Sequence, residues 1–430
     1  MNNIQQISDA YLCSACGACS VVCPKDAIDF SWSNIGRKYA VVNNNCIDCG
    51  LCRKVCPSLD NYGLTSDMAD KYVGEIRGVY IGHSTDPFIY QNAQSGGVCT
   101  ALLTYLFEEG KIDGAVVCRM DYGRVPTVRG VLLTSVSELL QTQKSCYTPV
   151  DLLSALKTGE NCKSLAIVGL PCHIEAVENL KRTNKSFGNI SYQIGLICDR
   201  TLAGGIQDYI CTPSPSNKLI LIYWRGKGYS FDNNGVRYKK APIVIRGKDN
   251  SICLIPRHVR ICLKDMFTLP RCRVCSDKLN VFSDITLGDP WGMSGVDWEN
   301  GDNLIITRTE KGERLLNETL SKRKICMKPA NREEMLRGQV IEKRRESVKR
   351  YSQAYRMLPI AIPSPILQDY SGKVGTEREE MLSFINLEKQ TKETIRVQAS
   401  RIVREYERNQ KLPYKVWHKA KKLITRLLQK

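Results

Sequence analysis

A chain of 430 residues with 43% hydrophobic and 25% charged residues has room for two to four domains with a sizeable core, and this ordinary balance excludes wholesale disorder. Its longest apolar runs, such as Leu165 to Val168, fall far short of the ~18 residues a membrane span needs, and Met1 to Gln6 carries no secretory pattern, so a cytoplasmic chain is expected. Two values stand out: twenty cysteines, which in a large unexported chain favour metal or redox chemistry over disulfides, and a formal net charge of +18, half of it gathered in 386–430.

The first predicted unit is an internal repeat. Cys13, Cys16, Cys19 and Cys23 recur 33 residues later as Cys46, Cys49, Cys52 and Cys56, each run reading C-x2-C-x2-C-x3-C and ending in Pro24 or Pro57. In bacterial two-cluster ferredoxins the fourth Cys of each run ligates the other cluster. The spacing therefore predicts one 4Fe–4S cluster on Cys13, Cys16, Cys19 and Cys56 and a second on Cys46, Cys49, Cys52 and Cys23. Three thiolates on a tight turn cap one face of a cubane, and Gly17 and Gly50 let the backbone wrap closely. Zinc sites space their cysteines in separated pairs rather than triplets followed by Cys-Pro.

Past a polar stretch, strands and helices alternate. Val79 to Ile81 reads as a strand, and Gln94-Ser95-Gly96-Gly97 opens a helix with Val98, Ala101, Leu102, Tyr105 and Leu106 on one face, closed by Gly110. Ala115 to Val117 follows as a strand. A Ser-Gly-Gly turn at a helix N-terminus offers backbone N–H groups to a flavin or nucleotide phosphate, although most such turns only turn. A second unit runs from the strand Ser164–Val168 into Gly169-Leu170-Pro171-Cys172. A helix with Ile174, Val177 and Leu180 inward comes next, then a strand from Tyr192 to Ile197 ending at Cys198. This is one parallel crossover, with both cysteines at strand C-terminal ends, where open α/β sheets place ligands. Cys272-Arg273-Val274-Cys275 adds a C-x2-C pair. Four thiolates from these places could close a third cluster. Taken separately, the single cysteines read as small buried hydrophobes and the pair as zinc or a redox couple.

At these residues the chain resembles the family of beta subunits of hydrogenases and dehydrogenases that handle the deazaflavin coenzyme F-420, which includes a hydroxymethyl chlorophyll reductase. The matching stretches are Ser95-Gly96-Gly97 with the helix ending Glu109 to Ala115, Gly169-Leu170-Pro171-Cys172, Gly195-Leu196-Ile197-Cys198, Cys272 to Asp277, and Ser283 to Gly292. The resemblance implies a non-covalent FAD, with Ser95, Gly96, Gly97, Ser145 and Tyr147 in flavin-contacting loops. It also implies a 4Fe–4S cluster on Cys172, Cys198, Cys272 and Cys275. The family often reads Ser-Lys-Tyr where this chain has Ser145-Cys146-Tyr147, so a thiol replaces a basic side chain and Lys144 is the neighbouring substitute. Cys99, Cys118, Cys146, Cys162, Cys211, Cys253, Cys262 and Cys326 are left over and read as buried or incidental, with Cys146 the exception by position. The histidines His83, His173, His258 and His418 form no metal spacing and read as structural.

From about Asn331 the chain reads as helical and charged, with Pro359, Pro363 and Pro365 marking a linker before a long helix from Thr376 to Gln410. Residues 411–430 carry six Lys and one Arg with no acid in an amphipathic pattern containing Trp417. Such a helix packs on its own domain, lies on a membrane surface at the inner face, or meets an acidic partner. No nucleic-acid motif accompanies the charge, so no nucleic-acid partner is expected.

The expected fold mixes α/β and α+β. It comprises a bacterial-type ferredoxin module over 1–60, flavin loops over 76–155, a third-cluster domain over 156–330, and a helical, basic extension over 331–430. The expected function is an iron–sulfur flavoprotein oxidoreductase that passes electrons through the three clusters and FAD, for reduction or oxidation of a small organic substrate. A donor or acceptor protein or a reduced coenzyme would be its electron partner. The alternatives are a subunit dependent on the deazaflavin coenzyme and a non-enzymatic electron carrier.

Overall fold

The computed structural model describes residues 2–59, 70–121, 123, 125–159, 161–212, 220–224, 243–247, 251–361 and 367–410. Its N-terminal unit pairs two short helices, Ala18–Val22 and Leu51–Lys54, with a hairpin of β1 (Ile28–Trp32) and β2 (Lys38–Val42). The sequence repeat is also a conformational repeat. Ala15 and Asp48 hold φ of 57° and 54°, Gly17 and Gly50 hold 97° and 75°, and each glycine starts the helix that carries its triplet's third cysteine. A Cβ on Gly17 would stand 2.7 Å from the Ser154 amide nitrogen, so glycine also permits the module to dock.

The central unit is an eight-stranded sheet built from β3 (Gly78–Ser84), β4 (Gly114–Asp121), β5 (Thr127–Leu133), β6 (Leu165–Gly169), β7 (Ile190–Leu196), β11 (Ile285–Gly288), β12 (Asn303–Thr307) and β13 (Ile325–Pro329). In space they run β13-β3-β12-β11-β7-β6-β4-β5. The inner strands β4, β6, β7 and β11 are parallel and the outer ones antiparallel. The inner strands read as continuous apolar runs because both faces are covered. Ala166, Ile194 and Ile305 pack under the helices Val98–Glu108 and Glu310–Ser321. On the other face, Val116 and Ile167 pack with Ile174, Val177 and Leu180 of the helix Pro171–Thr183. The expected strand–helix–strand crossover is present, with β6 and β7 parallel.

A smaller antiparallel sheet joins β8 (Ile220–Tyr223), β9 (Ile243–Gly247) and β10 (Ile252–Ile255), packed against the helices Gly205–Cys211 and Arg257–Phe267. The single helix expected from Thr376 to Gln410 is two, Glu377–Glu388 and Lys392–Gln410. Thr391 caps the second by accepting the Thr394 amide on Oγ1, a local bond that competes with helix continuation. The C-terminal helices are not a separate layer. Ala354, Tyr355, Met381 and Ile385 share a core with Ile4, Ile7 and Leu12 of the N-terminal unit, and Arg37 forms a buried ion pair with Glu388 at 2.8 Å. Residues 411–430, with His418 and the basic amphipathic pattern, lie outside the described residues, as do Pro363 and Pro365. Among the described residues no helix is long and apolar enough to cross a membrane.

Candidate metal and cofactor centre

The eight N-terminal cysteines fall into two sets by environment. Cys13, Cys16, Cys19 and Cys56 are all buried. Burial pushes the Cys16 thiol up to about 12, and the neighbouring Cys13, Cys16, Cys56 and Cys52 add to the desolvation that lifts Cys19 well above its ordinary value. Cys23, Cys46, Cys49 and Cys52 line one pocket together with Asn3 and Ile28, with Cys52 buried and Cys49 exposed. Backbone amides donate to the thiol sulfurs in matching places: Ala15 to Cys13 at 3.4 Å and Asp48 to Cys46 at 3.4 Å. Ala27 donates likewise to Cys23 at 3.3 Å. The positive φ at Ala15 and Asp48 turns these amides back onto the sulfur two residues earlier.

The third set forms where the crossover ends. Cys172 opens the helix after β6, Cys198 lies two residues beyond β7, and Cys272 and Cys275 come from the segment after the helix Arg257–Phe267. The structure brings all four together. After desolvation, the influences that raise Cys172 are Cys16, Cys198, Cys272 and Cys275, and Cys198 is raised in turn by Cys272 and Cys275. Among the described residues no three His, Cys, Asp or Glu side chains stand at the spacing of a single metal ion. Desolvation raises the Cys172, Cys198 and Cys272 thiols, and a metal bound there would displace their protons.

The segment following Cys275 explains the positions of the strand ends. The Asp277 carboxylate accepts the amides of Asn280 at 2.7 Å and Val281 at 3.2 Å, closing a tight turn in which Asn280 adopts φ 60°. From there the Asn280 side-chain amide donates to the carbonyls of Gly169 at 2.8 Å and Leu196 at 3.2 Å, the last residues of β6 and β7. One side chain thus ties together the two strands that deliver Cys172 and Cys198, and Thr201 donates its amide to Cys272 Sγ at 3.3 Å.

Two arginines outside the cysteine pattern organise the junction. Arg271 is buried, donates from Nε to Ser58 Oγ at 2.9 Å and from Nη2 to the Pro57 carbonyl at 3.0 Å, and acts electrostatically on Cys275, Cys172 and Cys272. Burial raises the Cys56 thiol, and the same charge opposes that rise. Arg344, from the helix Ile341–Arg356, donates to the carbonyls of Cys275 at 3.0 Å, Cys272 at 2.9 Å and Asp199 at 3.2 Å. Sequence reasoning missed both. The signal for Arg271 was an arginine beside a cysteine ligand in an apolar run, whereas Arg344 gave none. Docking of the N-terminal unit is equally specific: Leu153 donates its amide to the Cys16 carbonyl at 3.0 Å, and Lys38 pairs with Asp151 at 2.5 Å.

Of the residues expected around a flavin, Ser95, Gly96, Gly97 and Ser145 lie together. Gly97, at φ 78°, precedes the helix Val98–Glu108, and Gln94 Oε1 accepts the Ser145 amide at 2.9 Å. The two loops are joined further by Lys144, which donates to the Asn92 carbonyl at 2.5 Å and whose amine burial pulls down to about 8. Part of the turn has an internal explanation. A Cβ on Gly96 would meet the Gly82 carbonyl oxygen at 2.6 Å, and Asn303 Oδ1 accepts the Val98 amide at 3.1 Å. The amides of Cys99 and Thr100, in the same first turn, have no intrahelical partner by helix geometry, so the turn retains donors suited to a phosphate. Tyr147 packs against the neighbouring core, edge-on to Trp224 at 5.5 Å and under the Arg260 guanidinium at 5.0 Å.

Comparison with known proteins places three family models on the chain. A 4Fe-4S dicluster domain matches residues 12–59. The coenzyme F420 hydrogenase/dehydrogenase beta subunit matches through its N-terminal part over 79–157 and its C-terminal part over 162–333. The chain is 26% identical over 80% of its length to a subunit of the F420H2 dehydrogenase of Methanosarcina mazei, covering 92% of that protein. It is also 26% identical over 80% of its length to the coenzyme F420-dependent sulfite reductase of Methanocaldococcus jannaschii, of which it spans only 52%. A chain of the xenon-derivatised F420-reducing [NiFe] hydrogenase complex of Methanosarcina barkeri matches in fold with a TM-score of 0.50 at 20% identity, over 66% of this chain and 92% of that one. The two beta subunit parts together account for more than half of the chain, which belongs to the family of coenzyme F420 hydrogenase/dehydrogenase beta subunits and carries a 4Fe-4S dicluster domain ahead of them.

Proposed function

We propose that this chain is an iron–sulfur flavoprotein oxidoreductase subunit organised as a ferredoxin module over 1–60, flavin loops over 76–155, a third-cluster domain over 156–330 and a helical extension over 331–430. Cys13, Cys16, Cys19 and Cys56 hold one 4Fe–4S cluster, Cys46, Cys49, Cys52 and Cys23 a second, and Cys172, Cys198, Cys272 and Cys275 a third. FAD binds at the turn Ser95-Gly96-Gly97 and the adjoining loop of Ser145. Tyr147 supports that loop from behind through its contact with Trp224. When bound, such clusters carry single electrons and a flavin exchanges them for hydride chemistry on a small organic molecule or a reduced coenzyme.

The chain's own residues give this reading a direction. Exposed Cys49 makes the second set the natural contact for a partner, and the buried first set lies inward of it. The observation that carries the proposal is the hydrogen-bonded junction between the two units: buried Arg271, next to Cys272, donates to Ser58 Oγ and the Pro57 carbonyl beside Cys56, and Leu153 donates its amide to the Cys16 carbonyl. The names of the relatives, an F420H2 dehydrogenase subunit and a subunit of F420-dependent formate dehydrogenase, favour coenzyme F420 as the two-electron partner and a multisubunit setting. Anaerobic purification with iron, sulfide and flavin quantified together tests the reading: about twelve irons per chain and one flavin are expected. About eight irons would remove the third site, and the absence of flavin would leave an electron carrier without hydride chemistry.

A further inference from the structure

The eight-stranded sheet carries a second arrangement of reactive groups at its β13 edge. Strand register sets Cys326 of β13 directly opposite His83 of β3, and His83 lies one residue past the pairing of Gly82 with Asn303, next to Asp302 at the start of β12. Directly opposed residues in antiparallel strands project to the same face, so three neighbouring strands line up a thiol, an imidazole and a carboxylate. The side chains meet: Cys326 Sγ stands 3.0 Å from His83 Nε2, and His83 Nδ1 stands 2.8 Å from Asp302 Oδ1. The Tyr90 ring stacks on the imidazole at 4.5 Å and 13°, fixing its plane, and the second Asp302 oxygen accepts the Asp297 amide at 2.8 Å, fixing the carboxylate.

The order of contacts dictates the chemistry. A carboxylate can only accept, so His83 donates its Nδ1–H to Asp302 and presents the Nε2 lone pair to the thiol. A nucleophile within reach of a base that is itself oriented by a third group is the pattern of an activated nucleophile. Cys326 is exposed, unlike the buried first cysteine set, so a reagent can reach it. Among the described residues these three do not form a group able to hold a metal ion. Cys326, which the sequence reads as buried or incidental, is exposed. Its partner lies 243 residues away in the chain, and no local pattern announces it.

We propose that Cys326, with His83 as its base and Asp302 as the positioning residue, is a thiol–disulfide exchange site for a small organic disulfide. The Cys326 proton passes to His83 Nε2 as the sulfur attacks one sulfur of the disulfide. A new S–S bond to Cys326 forms, the original S–S bond breaks, and the departing thiolate takes the proton from His83. One thiol is released, Cys326 is oxidised to the mixed disulfide, and the small disulfide is the oxidant consumed. The site adjoins the turn Ser95-Gly96-Gly97, since the Ser84 amide, one residue from His83, donates to the Gly96 carbonyl at 2.7 Å.

The test uses the full chain, purified anaerobically with its metal intact, exposed briefly to oxidised glutathione and mapped by peptide mass spectrometry. Cys326 should form the mixed disulfide well ahead of part-exposed Cys253 on β10. His83→Gln should slow modification of Cys326 by about tenfold or more while leaving Cys253 and the iron content unchanged. Asp302→Asn, which keeps the imidazole, should slow it as well and serves alone if His83→Gln does not fold. Modification of Cys326 no faster than that of Cys253, or a rate indifferent to both substitutions, overturns the proposal. So does a zinc ion recovered from the wild-type chain and lost in Cys326→Ser.

Discussion

Replacing Arg271 by glutamine removes a buried positive charge that acts on Cys56 from one side and on Cys172, Cys272 and Cys275 from the other. A unit charge about 7 to 10 Å from a redox centre, in an effective dielectric of about 20, is worth roughly 2 kcal/mol, or about 70 to 100 mV for one electron. Its loss makes each added electron less welcome, so the midpoint potentials of the first and third clusters should fall by tens of millivolts. The second cluster, whose Cys49 is exposed and which Arg271 does not touch, should move little. The assay is a redox titration of the anaerobic full-length protein followed by electron paramagnetic resonance, with Arg271→Lys as the charge-preserving control. Glutamine can still donate towards the Ser58 hydroxyl, so iron content should hold. Unchanged or raised potentials in a variant that keeps its iron would refute the electrostatic role given to this residue.

Other expectations are as specific. Arg37→Met breaks the buried pair with Glu388 and should cost about 3 kcal/mol, read as faster hydrogen exchange along Glu377–Glu388; a melting curve and exchange pattern like the wild type would contradict it. Arg344→Met releases the carbonyls of Asp199, Cys272 and Cys275 and should shed about four irons on gel filtration while the N-terminal clusters stay; retention of all the iron would show that the C-terminal clamp is dispensable. Lys144, held by burial at about 8, binds fewer protons folded than unfolded between about pH 8 and its ordinary value near 10.5, so its contribution to stability should rise with pH across that window. Denaturation midpoints measured through that window should lose this component in Lys144→Met.

What the sequence made legible follows from the range over which each signal acts. The N-terminal triplets are local: three ligands on one turn leave a fixed spacing, and the repeated φ values at Ala15 and Asp48 are its structural counterpart. The crossover from β6 to β7 was readable because its strands and helix are contiguous and periodic. The third cysteine set was half-readable, since its members were visible but their convergence depends on Asn280 bridging two strand ends. Arg344 reaches partners 69 to 145 residues away and the Arg37–Glu388 pair crosses from one end of the chain to the other, and nothing in their neighbourhoods signals it. For Tyr147, position within a resembling loop suggested a ligand contact but not the packing of its ring on Trp224 and Arg260, which come from segments more than seventy residues away. The break between the last two described helices turned on one side-chain cap, at Thr391, inside a run whose composition favours helix throughout.

The claim on which the rest depends is that the first and third cysteine sets hold clusters close enough to interact. Electron paramagnetic resonance of the fully reduced protein tests it directly, comparing the wild type with Cys272→Ser/Cys275→Ser. The account predicts a broadened spectrum from three coupled clusters in the wild type, simplifying in the double variant to the signal of a two-cluster ferredoxin as iron falls from about twelve to about eight. The same spectrum and iron content in both proteins would contradict it.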